Sequence, residues 1–265
     1  MFAHRRVFVA VCFLLAVFPG LGLSAATEGT VQAQAAESAK SPRQRAWEER
    51  VPENFRNGEA FAYVEEDPAL PRVLLIGDSI SIGYTPAVRK ELAGVANVLR
   101  IPENAGPTTR GLENIERWLG DTQWDVIHFN WGLHDLKRLN EAGKMDSNAP
   151  PQVPPRAYKR NLKELVKRLK ETNAKLIWAS TTPVPEGASG RLKGDDVTYN
   201  EIAARVMKKQ GVSINDLYAC VLPELEQYQR PRNVHFTDEG SEFLGAKVAA
   251  EIRKALRQNG ARQPE

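Results

Sequence analysis

From Arg72 onward, short apolar runs alternate with longer amphipathic stretches, and this alternation limits the possible folds more than any other feature. The apolar runs are predicted strands at residues 73–76, 95–101, 125–130, 175–179 and 212–215. The amphipathic stretches are predicted helices: one opened by Pro86, then residues 110–119, 155–172, 195–210 and 237–256. Such alternation produces a parallel sheet with helices on both faces. The sequence therefore predicts an α/β fold, a three-layer α/β/α sandwich on a flavodoxin-like parallel sheet of about five strands.

Residues 1–26 have the parts of a secretory signal peptide. Arg5 and Arg6 provide a positive start, residues 7–18 are an unbroken apolar run, and Ser24-Ala25-Ala26 offers small residues for cleavage. The alternative is an uncleaved anchor, although residues 7–18 are short for a membrane span of about 20 apolar residues. We expect cleavage and a secreted or periplasmic protein without a stable membrane span.

The remaining chain divides by composition. Residues 27–41 are rich in Ala, Gln, Glu and Ser and are typical of a flexible spacer. Residues 42–71 carry four aromatic side chains among charges, which predicts an extension that packs on the main domain; together, 27–71 form a spacer and N-terminal extension. We assign residues 72–257 to one main domain and 258–265 to a C-terminal tail.

Charge and cysteine content exclude several classes of protein. The net charge is +3, and two of the positive charges belong to the signal, so the rest of the chain is nearly neutral. Such a balance gives no reason to expect nucleic acid or an anionic membrane as a partner. The basic residues of the predicted helix 155–172 are expected to form its solvated face. Cleavage leaves Cys220 as a lone cysteine, which we predict to be a small buried apolar residue.

The first predicted strand ends at Gly77-Asp78-Ser79. Ser79 would lie at the carboxyl end of a parallel strand, where open α/β sheets bind their ligands. A serine in that place is a candidate nucleophile if the fold brings a base to it. The alternative is that Ser79 only caps a helix.

Two histidines are candidates for that base. His134 and His235 lie in loops after predicted strands, whereas His128 lies inside the apolar strand at residues 125–130 and is predicted to be buried in the core. His235 precedes the last predicted helix and is either a neighbour of the helix cap or a proton acceptor near neutral pH.

Four segments resemble the SGNH (GDSL-type) hydrolase superfamily. They are Gly77–Ser81, Asn104-Ala105-Gly106, Gly132-Leu133-His134-Asp135 and Val234-His235-Phe236, and they occur in the family's order. The resemblance spans about Val73 to Glu251. It implies that Ser79 is the nucleophile and, through its backbone N–H, an oxyanion donor. It also implies a second backbone donor at Gly106 and a general base, later general acid, at His235.

Two positions depart from the family's pattern. His134 stands where the family has an asparagine as third oxyanion donor; histidine can still donate one N–H, and Asn130 is a nearby alternative. Arg232 stands where the family has an aspartate three residues before the histidine. We therefore expect a Ser–His dyad whose imidazole is held by a backbone carbonyl, by Asp216 or by Asp238, with Arg232 pointing away.

The resemblance implies a serine esterase that hydrolyses an O-acyl ester through an acyl-serine, without metal or cofactor. Export favours an O-acetyl ester of a carbohydrate, either a small molecule or a polysaccharide. By position, residues 181–185 and Trp131 would line the cleft, although a buried Trp131 is equally compatible with the sequence. The alternatives are a lysophospholipase or short-chain lipase, with a wide apolar patch beside Ser79, and a catalytically weak carbohydrate-binding or scaffolding domain.

Overall fold

The computed structural model describes residues 40–260 of the chain. The predicted signal peptide, most of the predicted spacer and the last five residues lie outside that range. The chain divides into two units, Met1–Arg45 and Ala46–Glu265, and all the features that follow lie in the second unit, apart from the start of the first helix.

Five parallel strands form one central sheet. They are β1 (Arg72–Ile76), β2 (Asn97–Arg100), β3 (Val126–Phe129), β4 (Lys175–Ala179) and β5 (Ser213–Asn215), in the order β2-β1-β3-β4-β5. β1 lies between β2 and β3, with Leu74 opposite both Leu99 and Ile127. The predicted flavodoxin-like sheet is confirmed, with strand ends that differ from the predicted ones by at most two residues.

Eight α-helices accompany the sheet in the described part of the chain. They are α1 (Pro42–Arg50), α2 (Ser79–Glu91), α3 (Thr108–Leu119), α4 (Pro155–Glu171), α5 (Asp195–Gln210), α6 (Leu217–Val221), α7 (Leu225–Tyr228) and α8 (Asp238–Gly260). α2 packs against α8, while α3, α4 and α5 pack side by side, which gives the two helical layers of the sandwich. No helix within residues 40–260 is long and apolar enough to cross a membrane.

The first helix after β1 begins earlier than predicted. Asp78 caps it by accepting the Ile80 N–H at 3.0 Å, so α2 begins at Ser79 and Pro86 lies inside it. The prediction that Pro86 opens the helix is therefore wrong, because the cap directly after β1 determines the start. This early start places Ser79 at the helix N-terminus, where backbone N–H groups lack helical acceptors.

Three expectations about single residues are settled by burial. His128 is fully buried in β3 as predicted, with its Nε2 3.2 Å from Asn215 Nδ2. Trp131 is also fully buried, against Gly111, so the alternative in which it lines the cleft is wrong. Cys220 is exposed, which contradicts its predicted burial; it lies on the short helix α6, whose buried residues are Leu217 and Val221.

The segment before β1 contributes a second, smaller apolar cluster. Val51, Ala60 and Phe61 are buried together, with Ile82 of α2 packed against them. Trp47 Nε1 donates to the Phe61 carbonyl at 2.7 Å. The segment thereby covers the outer side of α2 close to Ser79.

Candidate active site

The fold brings Ser79 and His235 together across 156 positions of the chain. Ser79 Oγ lies 2.8 Å from His235 Nε2, within hydrogen-bond distance. Ser79 is placed by the end of β1 and the start of α2, and His235 by the loop before α8. A serine hydroxyl in contact with an imidazole is the arrangement that nucleophilic catalysis by serine requires.

The loop that carries His235 is held by backbone hydrogen bonds. The Asn233 N–H donates to the Arg230 carbonyl at 3.1 Å, closing a turn with Pro231 and Arg232 at its centre. Arg232 has a φ of 55°, the left-handed conformation that the third residue of a type II turn adopts. The Arg230 N–H donates to the His235 carbonyl at 3.0 Å, so the turn and the histidine form one small unit.

Asn233 orients the imidazole. Its Oδ1 lies 2.8 Å from His235 Nδ1 and also accepts the backbone N–H of His235 at 3.0 Å. A backbone N–H can only donate, so the atom facing it is the oxygen, and the ring Nδ1 facing the same oxygen carries the proton. Nε2 is then unprotonated and able to accept the proton of Ser79.

The expected orienting groups are corrected accordingly. Asp216 caps α6 and accepts from Ser180 Oγ at 2.8 Å and from the Ala219 N–H at 3.1 Å. Asp238 begins α8 and lines the cleft described below, without a hydrogen bond to the imidazole. Neither aspartate is the partner of His235, because Asn233 occupies Nδ1. The sequence contains a signal for this role, the amide side chain of Asn233 two residues before His235. From the sequence alone, however, we name only carboxylates and backbone carbonyls as partners of the imidazole.

Arg232 does not contribute to the imidazole contacts. A Cβ on Gly187 would lie 3.0 Å from Arg232 Nε, so the guanidinium packs over that glycine. This agrees with the expectation that it points away from His235.

The electrostatics of the site keep His235 neutral. Partial burial is the largest cause of its lowered pKa, and the positive charges of Arg191 and Arg230 lower this pKa further. The partner at Nδ1 is a neutral amide, which supplies no opposing negative charge. His235 is therefore a base whose neutral form is favoured more strongly than that of an unperturbed histidine.

The candidate oxyanion donors differ in availability. The Ser79 N–H, at the start of α2, has no acceptor among residues 40–260. The Gly106 N–H is not free, because it donates to Asn104 Oδ1 at 2.9 Å in a turn where Gly106 has a φ of 61°. An oxyanion would have to share or replace that contact.

His134 and Asn130 occupy different environments. His134 is partly buried, and burial lowers its pKa to about 3, with further lowering by Lys137 and Arg191; its ring is therefore neutral. Asn130 follows β3 and donates from Nδ2 to the Ala179 carbonyl at 2.9 Å, so it ties β3 to the end of β4. The charge of His235 also contributes to the lowered pKa of His134.

Asp135 is a residue that the sequence reasoning left without a role. It is fully buried, and its Oδ1 accepts both the backbone N–H and the hydroxyl of Thr108. These bonds tie the loop that carries His134 to the start of α3, two residues after Gly106. Burial raises the pKa of this carboxyl to about 7. The signal for its importance in the sequence is its position directly after His134, in the segment Gly132-Leu133-His134-Asp135 that resembles the family.

A cleft of about 670 Å³ opens from Ser79 and His235 and runs between α2 and α8. Gly83 and Ala87 leave space along it, and its charged lining residues are Glu59, Lys90, Arg230, Asp238 and Glu242. The exposed large apolar residues of the described chain, Val95, Met145, Leu192, Val197 and Leu222, are not part of its lining. Residues 181–185 do not line it either, and Thr181, Thr182 and Val184 are buried, which corrects their expected place.

Comparison with known proteins identifies the family of the chain. The sequence model of the GDSL-like Lipase/Acylhydrolase family matches residues 75–243, which include both Ser79 and His235. No curated protein matches the chain in sequence.

Several solved structures share the fold. An acetyl xylan esterase, AlAXEase, matches with a TM-score of 0.56 and 17% identity, over 68% of this chain and 99% of its own. A lipase/acylhydrolase from Enterococcus faecalis matches with a TM-score of 0.55 and 17% identity, over 69% and 96%. A GDSL-like lipase from Bacteroides thetaiotaomicron VPI-5482 matches with a TM-score of 0.54 and 18% identity, over 74% and 95%.

Proposed function

Because this chain belongs to the GDSL-like lipase/acylhydrolase family, we propose that it is a serine esterase that removes an O-acetyl group from an exported carbohydrate. The contact of 2.8 Å between Ser79 Oγ and His235 Nε2 carries the proposal. The signal-like residues 1–26 support a secreted or periplasmic location.

In the proposed reaction, His235 Nε2 takes the proton of Ser79 as Oγ attacks the ester carbonyl. The alcohol leaves with that proton, and an acyl-serine remains. Water then attacks the acyl-serine, with His235 again accepting a proton and returning it to Ser79. Asn233 keeps the ring in the tautomer that both steps need.

The tetrahedral intermediate carries a negative oxygen that needs donors already in place. The unused Ser79 N–H supplies one. A neutral His134 supplies a ring N–H in place of the family's asparagine, and its low pKa keeps it neutral throughout the working range. Gly106 supplies a third donor when its N–H turns from Asn104 to the oxyanion.

The cleft favours a polar substrate. Five charged residues line it, and the wide apolar patch expected of a lysophospholipase or lipase is missing from its lining. One structural neighbour is an acetyl xylan esterase, a carbohydrate deacetylase by its description. We therefore place a small acyl group at Ser79 and a hydrophilic alcohol in the cleft.

The experiment combines labelling with turnover. The chain, expressed with its leader removed, is treated with a fluorophosphonate probe and assayed with 4-nitrophenyl acetate, 4-nitrophenyl octanoate and acetylated xylo-oligosaccharides. We expect a probe adduct on Ser79, a strong preference for acetate over octanoate, and release of acetate from the oligosaccharides.

Ser79→Ala and His235→Ala should each remove turnover while the folded structure persists, since the nucleophile and its base act as a unit. Ser180→Ala is the matched control; its hydroxyl contacts Asp216 and lies outside the cleft. Activity retained in Ser79→Ala, or labelling at another serine, contradicts the mechanism. Carbohydrate binding without labelling or turnover would instead support the scaffolding alternative.

A further inference from the structure

Two cations, Arg191 and Lys137, lie close to the loop that carries His134 and do not line the α2–α8 cleft. Arg191 is in the loop between β4 and α5, and its Nε donates to the Leu133 carbonyl at 3.1 Å, directly before His134. Its Nη1 donates to the Ser189 carbonyl at 3.4 Å. Lys137 lies three residues after His134. The guanidinium is thus held in place by backbone carbonyls, with Nη2 left unused within residues 40–260.

Neither cation forms an ion pair with a carboxylate of the described chain. Neighbouring arginines differ in this respect. Arg110 pairs with Glu103, and Arg138 pairs with Asp195 at 2.8 Å. The structure therefore pairs Arg110 and Arg138 with acids but leaves Arg191 and Lys137, like Arg230, without an ion pair within residues 40–260.

The two positive charges are partly buried and act on each other. Burial and the charge of Arg191 both lower the pKa of Lys137. Arg191 also lowers the pKa values of His134 and His235, so its charge reaches both sides of the site. The acid that acts on Arg191 is Asp78, whose own pKa is raised by burial. Partly desolvated cations that form no ion pair are unfavourable, and an anion bound beside them would relieve that cost.

We propose that Arg191 and Lys137 form a subsite for a carboxylate of the substrate, close to the ester that Ser79 attacks. The inference rests on the proposed esterase function and narrows it to acidic esters, such as an O-acetylated uronic acid unit. The planar fork of Arg191 suits a carboxylate, and Lys137 adds a second charge. The carboxylate is carried either by the alcohol part of the ester or by its acyl part, and the experiment uses one pair of substrates for each case.

The experiment compares substrates that differ only in charge. An acetylated methyl glucuronide is measured against its neutral 6-methyl ester, and 4-nitrophenyl hemisuccinate against 4-nitrophenyl acetate. In one of the two pairs, we expect kcat/KM to be at least about 10-fold higher for the acidic substrate than for the neutral one, mainly because KM is lower. One charge-assisted hydrogen bond provides a difference of this size. The preference should fall as NaCl rises from about 0.05 M to about 0.5 M, because salt screens partly exposed charges.

Variants test the assignment to these residues. Arg191→Gln should lower the acid-to-neutral ratio of kcat/KM about 10-fold, and Lys137→Gln should lower it less. Lys193→Gln removes a positive charge from an exposed position of the same loop and should leave the ratio unchanged. Thermal unfolding of each variant separates lost recognition from lost folding.

The outcomes separate the two proposals. Hydrolysis of 4-nitrophenyl acetate with equal kcat/KM within both pairs of substrates overturns the subsite and leaves the esterase function standing. An acid preference that survives Arg191→Gln also overturns it. Failure to hydrolyse any of the esters, together with absent fluorophosphonate labelling, overturns the esterase function itself.

Discussion

Replacing Asn233 by aspartate tests the reasoning about the imidazole most directly. Asp is nearly isosteric with Asn, so Oδ1 can still accept from His235 Nδ1 and from the His235 backbone N–H, now at 2.8 and 3.0 Å. The substitution changes charge and little else. The family has an aspartate at the position of Arg232, and the substitution places a carboxylate on the next residue of the turn, at position 233.

The size of the effect follows from distance and exposure. Two unit charges about 4 Å apart interact by about 1 kcal/mol in water and about 4 kcal/mol at an effective dielectric constant of 20. Asn233 and His235 are both exposed, so solvent screening keeps the effect near the lower value. The pKa of His235 should therefore rise by about one unit. The new carboxylate stabilises the imidazolium formed in the transition state by a similar amount, so kcat/KM on the alkaline plateau should rise up to about 10-fold.

The assay is the pH dependence of kcat/KM for 4-nitrophenyl acetate, supported by NMR titration of the His235 ring. His235 must be neutral to act as base, so raising its pKa moves the acid limb of the profile to higher pH. Asn148→Asp, on an exposed loop, is the control for an added charge. Asn233→Ala, which removes the acceptor, should lower kcat. If Asn233→Asp leaves the acid limb in place, or behaves as Asn233→Ala does, the orienting role is refuted.

Substitutions at three further residues have defined outcomes. His134→Ala should lower kcat roughly 10²–10³-fold with little change in KM, and His134→Asn should recover part of the loss, measured by steady-state kinetics. Arg232→Gly should raise the melting temperature by about 2–4 °C in calorimetry, since glycine removes about 1 kcal/mol of strain at a positive φ. The raised pKa of Asp135 means that the folded state holds this proton more tightly than the unfolded state. The free energy of unfolding should therefore decrease as the pH rises from about 4 to about 7. Urea titrations should show a smaller decrease for Asp135→Asn.

The fold was predictable from the sequence because its strands are continuously apolar and its helices have clear boundaries. Residues 175–179 and 195–210 were predicted with the bounds that the structure shows. The start of α2 differs from the predicted one, because a proline inside a helix is uncommon and the sequence therefore favours Pro86 as the first residue. Short helices such as α6 were also missed, since a single turn has no periodicity to detect, and Cys220 was misplaced with it.

The site was predictable only where its residues resemble a family or follow a strand. Ser79 and His235 met both conditions, and the structure brings them into contact. Asn233 met neither, because its role depends on the turn at Arg230–Asn233, which brings the side chain to Nδ1 of the ring. The engagement of Gly106 with Asn104 and the pairing of Asp135 with Thr108 likewise depend on contacts between loops, which spacing along the chain does not encode.

The amide at Asn233 and the cation at Arg191 together predict that substrate charge tunes the base. In the free enzyme, Arg191 and Arg230 lower the pKa of His235, and Asn233 adds no opposing charge. A substrate carboxylate bound at Arg191 would offset that cation, so the pKa of His235 should be higher in the complex. The profile of kcat/KM reports the free enzyme, and that of kcat reports the complex. For the acidic substrate, the acid limb of kcat should therefore lie at higher pH than that of kcat/KM, whereas for its neutral methyl ester the two limbs should coincide. Coinciding limbs for both substrates would show that the carboxylate does not reach the charge that acts on His235.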